Sequence, residues 1–182
     1  MSPISQKLMT VDEFLTWAEG LDGRYELYHG QVYAMAPERS AHAETKFAVQ
    51  TALAEGIRKA GLPCYMLPDG MTVRIDNKTA HEPDALVYCG QKLPADALEV
   101  PNPIIVVEVC SPSTRRIDAA AKLKGYFSLP SVHHYLIVDP RNPPLIHHQR
   151  QSDGTILTRL VGEGSLRLDP PGFYMEIQAV FY

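Results

Sequence analysis

Apolar residues along this chain recur in the patterns of strands and helices. The most apolar segment, Ile104 to Val107, is uninterrupted and predicts a strand that is buried on both faces. The turn pair His29-Gly30 predicts a hairpin of Tyr25–Tyr28 with Gln31–Met35. Shorter β-branched and aromatic segments predict six more strands: Cys64–Leu67, Met71–Ile75, Glu82–Tyr88, His133–Val138, Leu145–Gln149 and Thr155–Val161.

Three segments have the 3.6-residue periodicity and the end signals of helices. They run from a capping box of Thr10 and Glu13 to near Gly20, from Ser40 as the cap to Ala60, and from about Arg115 to Leu129. In the second helix the positions expected to pack inward are Phe47, Val49, Ala52, Leu53 and Ile57. The apolar and aromatic end of the chain, Gly172–Tyr182, is expected to dock on the body or on a second subunit. We therefore predict an α/β fold in which helices flank a mixed sheet.

The composition is typical of a single globular domain. The chain has 182 residues, of which 45% are hydrophobic and 21% charged, so we expect one domain over residues 1–182. No apolar run approaches the roughly 20 residues of a membrane helix, and the first residues lack the pattern of a secretory signal. Cys64, Cys89 and Cys110 form no CxxC pair and predict free thiols. These features together predict a cytoplasmic protein.

The charge balance argues against general affinity for nucleic acid. The formal net charge is −4 and the pI is about 6.0, so tight non-specific DNA binding is not expected. Locally the balance differs, because Arg115, Arg116, Lys122 and Lys124 form a basic cluster beside Glu108. A bound Mg²⁺ would also reverse the charge of an acidic site.

Two acids in apolar surroundings are the candidates for chemistry. Glu108 lies within the buried strand, and an ionised carboxylate there needs a cation, a metal or several donors as partners. Asp84 lies in the preceding predicted strand. Asp118, Lys122 and Tyr126 follow at four-residue spacing and share one helix face. Two acids at neighbouring strands and a lysine directed toward them would form a divalent-metal phosphodiesterase site.

These residues also carry a family resemblance. The features are Tyr25-Glu26-Leu27 with Gly30, His42, Pro83-Asp84, Glu108 in Val-Val-Glu-Val-Cys-Ser-Pro-Ser, Asp118 to Tyr126 with Lys122, and His134 to Pro140. Together they resemble the bacterial family of restriction-endonuclease-like proteins with the PD-(D/E)XK nuclease fold, over nearly the whole chain. One departure is Cys110, which stands where the standard motif has lysine.

The resemblance implies a Mg²⁺- or Mn²⁺-dependent DNA endonuclease that acts as a homodimer. It implies that Asp84 and Glu108 hold the metal, together with a backbone carbonyl just after Glu108. It implies a catalytic lysine that has moved to the following helix, at Lys122, and a place in the metal shell for Glu26. It also implies products with a 5′ phosphate and a 3′ hydroxyl.

Periodicity and resemblance disagree over the lysine. Lys122 and Lys124 lie roughly 200° apart on a helix, and the apolar stripe of the helix predicts that Lys124 faces the sheet, whereas the resemblance favours Lys122. We take Lys122 as catalytic, which leaves Lys124 as a candidate contact to a substrate phosphate. His42, in the first turn of its helix, is a second candidate phosphate contact because helix amides attract anions there.

Plainer interpretations stay open at this point. Glu26 is equally well explained as a cross-strand partner of a base such as Arg24, and Lys122 as an exposed ion pair with Asp118. Ser111 and Ser113 are read as helix-capping hydroxyls, and adjacent histidines such as His133-His134 and His147-His148 point to opposite faces of a strand, so a zinc site is not favoured. Two other functions compete with the endonuclease: a non-catalytic nuclease-fold module for binding or regulation, and a metal-dependent hydrolase of another phosphate ester.

Overall fold

A computed structural model describes residues 4, 7–110 and 119–181 of the chain. Its three helices are α1 Val11–Ala18, α2 Ser40–Ala60 and α3 Ala119–Ser128. Its strands are β1 Tyr25–Tyr28, β2 Gln31–Ala34, β3 Cys64–Pro68, β4 Val73–Asp76, β5 Thr79–His81, β6 Ala85–Cys89, β7 Ile105–Val109, β8 His134–Val138, β9 Leu145–Arg150, β10 Ile156–Val161, β11 Ser165–Leu168 and β12 Phe173–Glu176. None of the helices in these residues is long and apolar enough to cross a bilayer.

The largest element is a six-stranded mixed sheet with the order β10-β9-β8-β7-β6-β3. β7 and β8 are parallel and are connected through α3, while the other pairs are antiparallel. Ile105, Val107 and Val109 pack on the side of α2, and Val106 packs on the side of α3. The apolar segment is therefore a strand buried on both faces, and the predicted mixed α/β architecture is confirmed.

A second sheet carries the amino-terminal hairpin. Its order is β2-β1-β5-β4, and β1 pairs with β2 from Tyr25↔Ala34 to Tyr28↔Gln31. The turn has positive φ at both His29 (49°) and Gly30 (79°), as a two-residue hairpin of this twist requires. The hairpin and the capping box of α1, in which Thr10 and Glu13 bond each other's backbone, confirm two predictions.

The end of the chain docks on the body. β11 and β12 form a separate hairpin, and Phe173, Met175 and Ile177 enter the core beside α2. Gly56 makes this contact possible, because a Cβ there would lie 2.5 Å from the Phe173 ring. The sequence patterns did not predict β11, β12 or β5.

Several local predictions are wrong. Arg39, not Ser40, is the N-cap of α2, and no side chain caps it. Phe47, expected to pack inward, is 67% exposed, because the packed face of α2 follows Val49 and Leu53 instead. The predicted amino-terminal turn of α3, with Arg115, Arg116, Asp118 and the capping serines, lies outside the described residues.

The cysteine prediction is wrong for two of the three residues. Cys64 and Cys89 are directly opposite each other on the antiparallel strands β3 and β6, with Cα atoms 3.9 Å apart, and form a disulfide. Because 25 residues separate them in sequence, no spacing motif indicates this pairing. The disulfide removes the support that free thiols gave to a reducing compartment.

Candidate active site

Lys122 is the centre of the site. Its side chain on α3 is 8% exposed, and Nζ donates to Glu26 Oε1 at 2.8 Å and to Glu108 Oε1 at 3.0 Å. Lys124 is exposed, so the prediction that Lys124 faces the sheet is wrong. The apolar periodicity of α3 predicted the wrong inner face, because a pattern based on apolar residues does not expect a buried lysine. Here two carboxylates stabilise the buried amine of Lys122.

Glu108 faces α3 because it alternates with Val107 along β7. Besides Lys122, the Tyr126 hydroxyl donates to Glu108 Oε1 at 2.6 Å. Burial raises the pKa of Glu108 to about 8, the Glu26 and Asp84 charges act in the same direction, and Lys122 opposes them. The predicted partner of this acid is thus a lysine and a tyrosine, and a further cation would favour its ionised form.

Glu26 joins the second sheet to this cluster. Its Oε1 accepts the bond from Lys122 and another from the Glu82 backbone N–H at 3.1 Å. Burial would raise its pKa, but the Lys122 charge holds the pKa of Glu26 below the ordinary value. Glu26 does not pair with Arg24 as the plainer interpretation expected; Arg24 instead bonds Glu82.

Strand pairing holds Asp84 beside the end of β7. Its backbone N–H donates to the Val107 carbonyl at 3.0 Å, and its Oδ2 accepts from the Val109 N–H at 2.7 Å. The side chain is 6% exposed, and burial raises its pKa while the Val109 bond lowers it. The two acids predicted from sequence therefore lie at adjoining strand ends, since Asp84 bonds the backbone of the residue that follows Glu108.

His42 reaches the same strand end from the first turn of α2. Its Nε2 lies 2.8 Å from the Val109 carbonyl and 3.9 Å from Asp84 Oδ2. Its Nδ1 lies 3.8 Å from Glu38 Oε2. Sequence reasoning selected His42 but missed Glu38, for which the only signal was the four-residue spacing between the two.

A group of ion pairs extends the site outward. Lys46 Nζ donates to Glu38 and to Asp69, and Arg24 pairs with Glu38, Asp69 and Glu82. Arg24, Glu38, Lys46 and Asp69 also line a cavity of about 370 Å³. Burial tends to lower the pKa of Lys46, but its bonds to Asp69 and Glu38 raise it above the ordinary value. None of these outer residues was predicted to belong to the site; Arg24 was named only as a possible partner of Glu26.

The charges of the site fit divalent cations. Its acids are Glu26, Glu38, Asp69, Glu82, Asp84 and Glu108, and its bases are Arg24, Lys46 and Lys122. Six carboxyl groups facing three bases leave an excess of negative charge when all are ionised, and at Glu108 the charges of Glu26 and Asp84 add to the effect of burial in raising its pKa. Carboxylate oxygens with a backbone carbonyl close by are the donors that Mg²⁺ and Mn²⁺ prefer.

Three of the sequence-adjacent histidines, on β8 and β9, make their bonds outside this cluster. His134 and His147 are fully buried, with His134 Nδ1 2.9 Å from His147 Nε2, and His134 Nε2 donates to the Pro170 carbonyl. His148, on the opposite face of β9, bonds Thr158. The only described group of three or more histidine, cysteine or acidic residues that could share an ion is Glu38, His42 and Asp84.

Comparison with known proteins identifies the family. A family model described as "Uma2: Putative restriction endonuclease" matches residues 11–179. The chain belongs to the Uma2 family. This confirms the resemblance inferred from the motifs around Asp84, Glu108 and Lys122.

Relatives of this Uma2 chain share most of its length. One, "Uncharacterized protein slr1290" of Synechocystis sp., is 26% identical over 147 residues, 80% of this chain and 76% of the relative. Another from the same organism, "Uncharacterized protein sll1609", is 24% identical over 162 residues, 87% of this chain and 91% of the relative. A crystal structure of "a putative nuclease belonging to DUF820 from Anabaena variabilis" superposes with a TM-score of 0.72 at 14% identity, covering 95% of this chain and 97% of the other. The structural match shows a shared fold.

Proposed function

We propose that this Uma2 protein is a divalent-metal-dependent DNA endonuclease that hydrolyses phosphodiester bonds. The observation that carries the proposal is the convergence of Asp84, Glu108 and the Lys122 amine at the end of β7. Two acids and an ammonium group in a part-buried setting are the groups needed to hold a metal ion and to assist a water nucleophile. Membership of the family supports nucleic acid as the substrate.

Each residue has a role in this proposal. Asp84, Glu108 and the Val109 carbonyl would hold Mg²⁺ or Mn²⁺, which supplies polarisation of the phosphate and a lower pKa for bound water. Lys122 would orient the attacking water and stabilise the charge that develops on the phosphate oxygens. Glu26 fixes Lys122 by the bond of 2.8 Å and, in this proposal, completes the metal shell.

Two residues are proposed to contact phosphates of the DNA backbone. His42 lies close to Asp84 and is a proposed contact to a substrate phosphate. Lys124 is exposed on the same helix as Lys122, where it can meet the backbone of a longer DNA. A substrate cut at this site would leave a 5′ phosphate and a 3′ hydroxyl.

Cleavage assays with point variants test the proposal. We expect D84N, E108Q and K122Q each to lower the rate of Mn²⁺-dependent DNA cleavage by about 10²-fold or more, the scale of a positioned acid–base group. K59Q is the matched control, because it removes the same charge from an exposed position near the far end of α2. Cleavage that survives in D84A and E108A, with unchanged Mn²⁺ affinity, would refute the proposal.

The same assays separate the competing functions. A panel of duplex DNA, single-stranded DNA, RNA and small phosphodiesters shows whether another phosphate ester is the substrate. DNA binding without cleavage of any member, in Mg²⁺ or Mn²⁺, would favour a non-catalytic binding module. The acid-rich site with its three bases favours the enzyme, because a module that only binds DNA gains nothing from excess carboxylates.

We also propose a single domain that works as a two-fold dimer. The bonds of Lys122 to Glu26 and Glu108 tie the two sheets together, which supports one folding unit. Two copies related by symmetry would place two sites on opposite DNA strands, and the molar mass from light scattering tests this assembly. A DNA substrate supports a cytoplasmic location, and a thiol count of Cys64 and Cys89 in freshly isolated protein tests it, since cytoplasmic disulfides are rare.

A further inference from the structure

We infer that Glu38, His42 and Asp84 form a second divalent-cation position next to the one proposed for Asp84 and Glu108. Their ligand atoms lie within 4.8 Å of one another, and a nitrogen donor is among them. The inference rests on the proposed function in one respect, namely that Asp84 serves both positions. It adds a ligand set that the family resemblance does not supply.

The bond to Val109 fixes the tautomer of His42. A carbonyl oxygen only accepts hydrogen bonds, so the proton of the neutral ring lies on Nε2, which is 2.8 Å from that oxygen. Nδ1 of the neutral ring then carries a lone pair. A histidine that binds metal through one nitrogen commonly donates its other N–H to a backbone carbonyl or a carboxylate, and His42 has this arrangement.

The Nδ1 atom is placed as a metal ligand would be. It is shielded from solvent, and no described residue gives it a hydrogen bond. Glu38 Oε2 lies 3.8 Å away, too far for a hydrogen bond, and two electron-rich atoms at this separation repel each other. An ion bound at about 2.0–2.2 Å from each atom would fit between them and turn this repulsion into attraction.

The acids around Glu38 and His42 outnumber the bases. Glu38 Oε1 is bonded to Lys46, which leaves Oε2 directed at His42. In the described part of this side of the site, the acids Glu38, Asp69, Glu82 and Asp84 outnumber the bases Arg24 and Lys46, so negative charge is in excess when the acids are ionised. A divalent ion would offset this excess.

The nitrogen donor gives the position a different metal preference. Oxygen-only sites suit both Mg²⁺ and Mn²⁺, whereas imidazole suits transition-metal ions such as Zn²⁺; Mn²⁺, as a transition-metal ion, accepts a nitrogen donor more readily than Mg²⁺ does. We therefore expect Mn²⁺ to fill both positions and Mg²⁺ to fill mainly the position at Glu108.

Electron paramagnetic resonance on the full chain tests the inference. We expect two Mn²⁺ per chain, and electron spin-echo modulation from a ligated nitrogen whose frequency changes when histidine is labelled with ¹⁵N. H42Q should lose this modulation and one Mn²⁺, with affinity at that position reduced at least about 10-fold. Its amide can still donate to the Val109 carbonyl, so the bond that Nε2 makes is preserved while the Nδ1 lone pair is lost.

Further variants make the outcome specific. E38Q should weaken the same Mn²⁺, and E44Q, the same change at an exposed position on α2, should not. E108Q should remove the other Mn²⁺ and leave the nitrogen modulation in place. One Mn²⁺ per chain without nitrogen modulation, or H42Q binding two Mn²⁺ with unchanged modulation, would overturn the inference.

The inference and the proposed function can fail separately. If the protein binds nitrogen-ligated Mn²⁺ but cleaves no phosphodiester, the inference holds and the proposed function is refuted. If E108Q abolishes cleavage, H42Q and E38Q cleave at wild-type rates and the protein binds a single Mn²⁺, the proposed function holds and the inference is refuted. The labelled wild-type measurement needs no variant to fold.

Discussion

Replacing Glu108 by glutamine should make the metal-free protein more stable, and increasingly so as the pH rises. The carboxyl has a pKa of about 8 in the folded protein against 4.5 ordinarily, because burial and two neighbouring acids disfavour its charge. A carboxyl whose pKa is higher when folded binds its proton more tightly in the folded state. Its contribution to stability is therefore complete below pH 4.5 and is lost as the pH rises to about 8. Glutamine cannot ionise, so the variant does not suffer this loss.

The size of the effect follows from the same values. Each pKa unit corresponds to about 1.4 kcal/mol, so the difference between 4.5 and about 8 would correspond to about 5 kcal/mol above pH 8. Because 17% of the side chain is exposed, solvent screens part of it, and we expect E108Q to be about 3 kcal/mol more stable than wild type at pH 9. At pH 5 the difference should be below about 1 kcal/mol. In a chain of this length about 3 kcal/mol corresponds to roughly 6–12 °C in Tm.

Thermal and urea unfolding in a chelator at pH 5, 7 and 9 would measure this. Adding Mn²⁺ should reverse the order, since an ion at 1,000 times its Kd stabilises wild type by about 4.1 kcal/mol and E108Q lacks a ligand for it. E44Q controls for the loss of an exposed carboxylate on the same protein. A difference that does not change with pH would show that the pKa of Glu108 is not raised, and a variant less stable than wild type at pH 9 would show that the ionised Glu108 is satisfied without a metal.

Three other predictions concern single contacts. Y126F should lower stability by about 1 kcal/mol, seen as a fall in Tm, because it removes the hydroxyl that lies 2.6 Å from Glu108; an unchanged Tm would mean that the bond contributes nothing. Burial lowers the pKa of His134 to about 4, so the protein should lose up to about 3 kcal/mol of stability as the pH falls from 6.5 to about 4. Urea unfolding should show a smaller loss in H134Q. An equal loss in H134Q and wild type would exclude this histidine as the cause. C64S should cost roughly 3 kcal/mol under oxidising conditions, because the bridge to Cys89 closes a loop of 25 residues; a reductant should then lower the Tm of wild type but not of C64S.

Much of the framework could be predicted because local patterns determine it. The run from Ile104 to Val107, the capping box at Thr10 and the His29-Gly30 turn each specify their own conformation from a few neighbouring residues. The disulfide and the exposure of Phe47 could not be predicted, because each depends on which elements pack together. Cys64 meets Cys89 only after β3 pairs with β6.

Some residues of the candidate site could likewise be predicted from the sequence and others could not. Asp84 and Glu108 could be selected because an acid in an apolar strand needs an explanation, whatever the fold. Glu38 lies on an exposed stretch before α2, where an acid is ordinary, and nothing in its neighbours indicates that it faces His42. Lys122 was chosen through resemblance rather than periodicity, since the buried face of α3 is defined by partners that lie on other strands.

The parallel pairing of β7 with β8 has a consequence for how such a site is assembled. A chain leaving one strand must cross over the sheet before it can start a parallel neighbour, and α3 is that crossing. The crossing can therefore bring an amine to the strand that precedes it. Lys122 Nζ lies 3.0 Å from Glu108 Oε1 although the two residues are 14 positions apart in the chain, so nearness in space is set here by the handedness and length of the crossing rather than by sequence spacing.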